Sequence, residues 1–199
     1  MLKNGFDTPV TVSVAAALSK GKLGWPCFIK PWDGYASRGN AVVKNRKELL
    51  FYGKKVPNAI CQEFVRGAEH TCDVYVDFNM KVRCVVPRRR IESRAGEVSK
   101  GQVAKHRGIM REAARLVERL GAGPGVITLQ LFLTSDDKVK FIEINPRFGG
   151  GVPLSIKAGA NFPKWILQEL LRRKTKIRFD GFRDNLIMLR YDSEVWLEN

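Results

Sequence analysis

Residues 140 to 153, KFIEINPRFGGGVP, set Glu143, Asn145 and Arg147 at every second position of an otherwise apolar run that ends in three glycines. Side chains two apart on a strand leave the same face. A carboxylate, an amide and a guanidinium therefore line up side by side, and that face needs a polar partner. Upstream, VITLQLFL and a TSDDK turn precede the run, and together the pieces predict a hairpin. On its first strand Thr128, Gln130 and Phe132 share one face, while Ile127, Leu129, Leu131 and Leu133 share the other.

Gln130 stands mid-strand among apolar residues, and hairpin pairing can bring the face of Glu143 and Asn145 beside it. Three oxygen donors on adjacent strands suit a hard cation such as Mg²⁺, whose shell is completed by substrate phosphates and water. The alternative is a hydrogen-bond network of Gln130 with Asn145, and Glu143 paired to Arg147.

Lys30 lies inside the apolar CFIKP, directly ahead of DGYASRGN. A lysine in an apolar strand needs a partner, and a phosphate can receive its ammonium together with backbone N–H groups of the loop. Gly34 and Gly39 permit the close approach such a cradle requires. The loop matches neither G-x-x-x-x-G-K-[ST] nor G-x-G-x-x-G, and taken alone it is more readily explained as an ordinary hairpin turn. A third element is CQEFVRGAEH. Read as a strand leading into a polar turn RGAEH, it offers backbone groups to a purine edge and Glu69 to ribose hydroxyls; a solvated turn residue is the alternative.

Elsewhere, AVVKN resumes a strand and NRKELLFYGKKV predicts a short helix capped by Asn45. TCDVYVDF and KVRCVVPRRRIES predict further strands. In residues 106–125, Ile109, Ala113, Leu116, Val117 and Leu120 keep the 3.6 period and Gly121 fits a C-cap. FPKWILQELLRR predicts a helix with Pro163 in its first turn, and the tail offers KIRF as an extra strand and an apolar NLIMLRY. The fold class is α+β with antiparallel strands dominating.

Composition sets the limits. The 199 residues are 44% hydrophobic and 28% charged, too apolar for disorder. No apolar run reaches the roughly 20 residues of a membrane span, and MLKNGFDTPVTV lacks a secretory pattern, so the expected compartment is the cytoplasm. Cys27, Cys61, Cys72 and Cys84 sit in β-type apolar runs without a C-x-x-C pair, and read as buried thiols rather than a metal or disulfide framework. The net charge of +15 invites an anionic partner or simply solvates the surface. Its clusters, residues 88–90 and 171–178, lack the interleaved aromatics of a single-strand stacking platform.

Taken in order, these pieces resemble an ATP-grasp domain, most nearly that of the carbamoyl-phosphate synthase large chain, across residues 23 to 171. The resemblance implies two α/β lobes with mainly antiparallel sheets gripping ATP between them. It further implies a small lobe at 23–66, a large lobe at 67–199, and a linker remnant at 1–22. Lys30 would be the phosphate-binding lysine, and Gly34 to Gly39, Ser37 included, the flap over the triphosphate. Gln62 to Val65 would be the hinge at adenine, acting chiefly through backbone atoms of Glu63 and Val65, with Phe64 nearby. Glu69 would bind ribose. Gln130, Glu143 and Asn145 would be ligands to Mg²⁺ or Mn²⁺, and Arg147, with Lys30, would steady the transferred phosphoryl group. The implied reaction activates a small carboxylate or bicarbonate with ATP to an acyl phosphate.

That family carries a preceding α/β domain, so a truncation, a split gene product, a separate N-terminal-domain protein or a homo-oligomer is expected to complete the acceptor site. Neither a glutamine amidotransferase nor a second ATP-grasp half is present. A catalytically incomplete regulatory or scaffolding subunit, and a basic nucleic-acid-binding module, are the rival readings. Residues 88–102 are the expected loop contributor to acceptor specificity.

Overall fold

The computed structural model describes residues 1–19, 23–34 and 37–197. Packing divides the chain into two compact units, residues 1–69 with 130–143 and residues 70–129 with 144–199. The division differs from the expected boundary at 66/67, because residues 130–143 pack with the N-terminal portion.

In the first unit, strands β1 (Thr11–Ser13), β2 (Cys27–Pro31), β3 (Ala41–Val43) and β4 (Ala59–Glu63) form an antiparallel sheet of order β1-β4-β2-β3. Helices α1 (Val14–Leu18) and α2 (Arg46–Lys55) belong to this unit. Its core is Cys27, Ile29, Val43, Leu49 and Cys61. Asn45 caps α2 as expected, its side chain accepting the Glu48 N–H at 2.9 Å, while Glu48 returns a carboxylate oxygen to the Lys44 N–H at 2.8 Å. This reciprocal pair satisfies donors that the first helical turn leaves orphaned. The N-terminal stretch is more than a linker. It holds a 3₁₀ turn at Leu2–Asn4, then β1 and α1, and Phe6 buries its ring edge-on to Phe141 at 6.0 Å. Residues 20–22 of that stretch, and Tyr35 and Ala36 of the expected flap, lie outside the described residues.

The second sheet has the order β10-β7-β6-β5-β8-β9. Its strands are β5 (Gly67–Val76), β6 (Val82–Arg94), β7 (Glu97–Val103), β8 (Gly125–Thr134), β9 (Val139–Asn145) and β10 (Ile187–Leu189). The chain passes between the two units within β5, β8 and β9. Helix α3 (Arg107–Leu120) obeys the 3.6 period. Ile109, Ala113, Leu116 and Val117 are buried, and Gly121 closes the helix in the left-handed region at φ 60°. Helices α4 (Val152–Lys157) and α5 (Phe162–Leu170) come next, the latter capped by Asn161 with Pro163 in its first turn. Among the described residues no helix is long and apolar enough to cross a membrane.

Three expectations are corrected. RGAEH is not a turn, since β5 already begins at Gly67 and only Phe64–Arg66 connect it to β4. Gly67 allows this, because a Cβ there would lie 2.5 Å from the Leu133 carbonyl oxygen. Residues 88–102 are not a loop but the β6–β7 hairpin, turned at Ala95 and Gly96, both at positive φ. KIRF forms no strand. Helix α4, too short to show a period, was not expected.

All four cysteines are free and buried. Burial, with Cys27 close by, pushes the Cys61 thiol up to about 11, and burial pushes Cys84 up to about 12 and Cys72 higher still. Reactivity follows the thiolate. A thiol reagent at neutral pH is therefore expected to leave the native chain essentially untouched and to label all four sites only after unfolding; rapid labelling of the folded protein would contradict this burial.

Candidate functional site

Strand β2 alternates buried Cys27 and Ile29 with half-buried Phe28 and Lys30, and Lys30 stands opposite Ile60 of β4. Burial pulls its ammonium below the usual lysine range, and the charge of Glu143 opposes that fall. Lys30 and Glu143 thus lie within electrostatic reach inside the first unit, although 113 positions apart in sequence.

The loop after Lys30 is shaped by Pro31. A Cβ at Gly34 would lie 3.1 Å from the proline ring and one at Gly39 3.2 Å from it, and Gly39 has φ +76°. Ser37 is exposed at φ 58°, also left-handed. Both glycines therefore have a packing reason.

At the end of β4 the polar groups are engaged. Gln62 Nε2 donates to Thr11 Oγ1 at 2.8 Å. Lys140 Nζ reaches both carboxylate oxygens of Glu63, at 2.8 and 2.9 Å, and the Val10 N–H donates to Glu63 Oε2 at 3.2 Å. Burial pushes the Glu63 carboxyl up, but the Lys140 ammonium and the Val10 amide outweigh it and hold the group below the usual range. The Glu63 N–H is taken by the Val10 carbonyl at 2.8 Å, whereas the Val10 N–H goes to the side chain instead of the Glu63 carbonyl. Phe64, exposed, and Val65, half-buried, lie in the connection outside both strands. Glu69 is half-buried on β5 rather than on a turn.

Gln130 is half-buried on β8, and on β9 Glu143 is exposed and Asn145 half-buried. Gln130 and Glu143 fall in the first unit, Asn145 and Arg147 in the second. Glu143 and Asn145, two apart on one strand, project to the same side. Arg147 is exposed, its Nη1 donating to the Phe148 carbonyl at 3.0 Å, and its N–H donates to the Asn145 carbonyl at 2.8 Å.

The segment after Asn145 is held by residues the sequence did not single out. In the second unit Asp73 is 0% and Arg88 1% exposed, paired through Nε at 2.8 Å and Nη2 at 2.9 Å. Ser155 Oγ donates to Asp73 at 2.6 Å, and Thr128 Oγ1 lies 3.4 Å from Asp73 and donates to the Arg147 carbonyl at 2.8 Å. The three glycines fit three different neighbours. A Cβ at Gly149 would lie 3.0 Å from Thr128 Cγ2, one at Gly150 2.8 Å from a Glu97 carboxylate oxygen, and one at Gly151 would collide with Arg88 Nη1 and Val98. The signal for this network was an acid inside TCDVYV and a base inside VVPRRR, two apolar runs on neighbouring strands.

One carboxylate with two amides is a hard oxygen set suited to Mg²⁺, and a half-buried lysine before a glycine loop suits a phosphate. A family model described as "ATP-grasp in the biosynthetic pathway with Ter operon" matches residues 55–187. The chain is 27% identical over 178 residues to the D-alanine–D-alanine ligase of Phocaeicola vulgatus, a match covering 77% of this chain and 53% of that protein. The chain thus spans about half the length of this curated relative. The L-amino acid ligase of Bacillus licheniformis matches at TM-score 0.65 and 27% identity, over 86% of this chain and 45% of that one. The biotin carboxylase domain of Hydrogenobacter thermophilus 2-oxoglutarate carboxylase, solved with MgADP, ADP and bicarbonate, matches at TM-score 0.74 and 16% identity, over 94% and 46%. These likenesses share the ATP-grasp fold.

Two outcomes are expected of this geometry. In an NMR titration followed at the isotope-labelled lysine ε-methylene carbons, Lys30 should titrate below the usual lysine range, and Glu143→Gln should move it lower still by removing the opposing charge; an unmoved Lys30 would disprove the coupling. Gly151→Ala should destabilise by about 1–3 kcal/mol through overpacking, lowering Tm by roughly 2–4 °C per kcal/mol. Gly24→Ala, with no atom within 4 Å of the added carbon, should leave Tm nearly unchanged.

Proposed function

The chain belongs to the ATP-grasp family described from the biosynthetic pathway with the Ter operon, and on that premise we propose that it binds Mg²⁺–ATP and activates a small carboxylate for capture by an amine. The single observation that carries this reading is Lys30, a half-buried ammonium ahead of a glycine loop, with the carboxylate of Glu143 acting on it. A lysine desolvated in this way gains charge stabilisation from a phosphate, and an acid beside it serves a cation that accompanies the phosphate.

Each residue then takes a role. Lys30 and the backbone of the Gly34–Gly39 loop hold the phosphates, the Glu63 carbonyl and the Val65 N–H meet the adenine edge, and Glu69 meets ribose. Gln130, Glu143 and Asn145 would hold Mg²⁺, which when bound neutralises charge on the phosphate oxygens. Phosphoryl transfer asks little covalent work of the protein; positioning and charge compensation suffice. The acceptor carboxylate oxygen attacks the γ-phosphorus, the bond to ADP breaks, and an acyl phosphate forms beside Lys30 and Arg147. An amine then attacks its carbonyl carbon, phosphate leaves, and an amide results.

Amino-acid carboxylates are favoured as acceptors because both relatives at 27% identity are amino-acid ligases by name. Bicarbonate, the acceptor implied by likeness to carbamoyl-phosphate synthase, is the second choice. A catalytically incomplete subunit with a regulatory or scaffolding role is the alternative reading. It predicts nucleotide binding without ADP release on any acceptor.

Calorimetric titration of ATP with and without Mg²⁺ tests the reading. Wild type should bind far more tightly with Mg²⁺, and Glu143→Ala should weaken that binding tenfold or more, about 1.4 kcal/mol. Mg²⁺-independent binding, or an indifferent Glu143→Ala, would remove this ligand assignment.

A further inference from the structure

Beyond α5 the chain runs from Arg173 to Arg178 without regular structure and returns through Gly181. The Gly181 N–H donates to the Arg178 carbonyl at 3.1 Å, and a Cβ at Gly181 would lie 2.8 Å from Arg178 Cβ. The glycine lets the turn close tightly onto Arg178 and sends Phe182 inward, where it is 3% exposed. Between this segment and β6 lies a cavity of about 140 Å³, lined by Cys84, Trp165, Lys176, Arg178, Gly181 and Phe182 among others, all in the second unit.

Its chemistry is one-sided. Two cations line it and no carboxylate does. Lys105 adds a third positive charge, 4.9 Å from the centroid of the Phe182 ring. Asp180 is near enough to bear on the Cys84 thiol, yet among the described residues neither Lys176 nor Arg178 makes an ion pair with it. Burial keeps that thiol neutral at ordinary pH, so the floor contributes no negative charge. Trp165 is fixed by Tyr75 and Phe162, each at 5.5 Å between ring centroids, and forms a stiff apolar wall. Cations gathered on one wall repel one another, and an anion between them relieves that repulsion.

Size narrows the ligand. At about 30 Å³ per water, the cavity holds roughly five water volumes, the bulk of an oxyanion of four or five heavy atoms. Ligand pockets for larger molecules run to roughly 300 Å³ and above, so a nucleotide does not fit. We infer that this cavity binds a small oxyanion, inorganic phosphate or a short-chain carboxylate, held by Lys176 and Arg178 against Trp165. None of its residues belongs to the proposed nucleotide site, and the inference stands independently of the ligase reading.

Trp165 supplies the test. Intrinsic fluorescence of the full chain is titrated with inorganic phosphate and, separately, with acetate, each against chloride at matched ionic strength. A saturable change with either anion is expected, and which one saturates identifies the source. Lys176→Gln/Arg178→Gln should weaken it at least tenfold; both side chains are exposed, so folding should survive. Lys54→Gln/Lys55→Gln, which removes the same charge from α2, should leave the affinity unchanged. Trp165→Phe should abolish the optical signal while calorimetry still detects binding. A drift identical to chloride, or equal weakening in both double variants, would reduce the effect to net charge and overturn the site.

Discussion

The carboxylate of Asp73 is the point to which the second unit is tied. It is wholly buried on β5, and it gathers a guanidinium from β6 and a hydroxyl from α4. Burying such a pair costs several kcal/mol per ion, repaid only when geometry is good and remaining lone pairs are met. Here both oxygens accept charged or hydroxyl donors, so three elements are fixed by one group. The same arithmetic makes partial replacement severe: removing one partner of a buried pair typically costs about 3–5 kcal/mol. The glycine run beyond Asn145 must then thread past Arg88 and Thr128, where a larger residue finds no room.

The first unit is tied by charge exchange at its half-buried positions. Strand β9 carries Lys140 to Glu63 at the end of β4 and Glu143 to the neighbourhood of Lys30 on β2. A base and an acid three residues apart thus answer an acid and a base from two other strands. The first pair is complete, at 2.8 Å with two oxygens engaged. The second is weaker, since Lys30 still sits below its usual range despite Glu143. The Lys140–Glu63 pair anchors the strand.

Local signals carried the parts of this architecture whose contacts are local. Helix α3 was legible from its period and Gly121, α2 from Asn45, and the β8–β9 hairpin from alternation. What misled was distance. Gly67 reads as a turn residue until the Leu133 carbonyl, 66 positions on, is seen beside it. Arg88 reads as a solvated charge unless Asp73 on the neighbouring strand is known to meet it, and Lys140 gave no hint of Glu63, 77 positions away. In the candidate site, residue types were readable while their engagements were not. Nothing in CQEF indicates that the Glu63 N–H is already taken and its carbonyl passed over by Val10.

The glycines separate structural necessity from function. The motif that ends in GGG looks like a phosphate cradle, yet Gly149, Gly150 and Gly151 each answer a named protein neighbour, and Gly34 and Gly39 answer Pro31. Packing accounts for Gly149 and Gly151, and a positive φ beside Pro31 for Gly39, whereas at Gly150 the neighbour is only the exposed, flexible end of Glu97. Packing does not account for Lys30. A methionine would fill its place on β2 without the desolvation that the ammonium incurs, and local rules are broken at cost chiefly where function requires it. The position that local packing leaves unexplained is therefore the half-buried cation on β2.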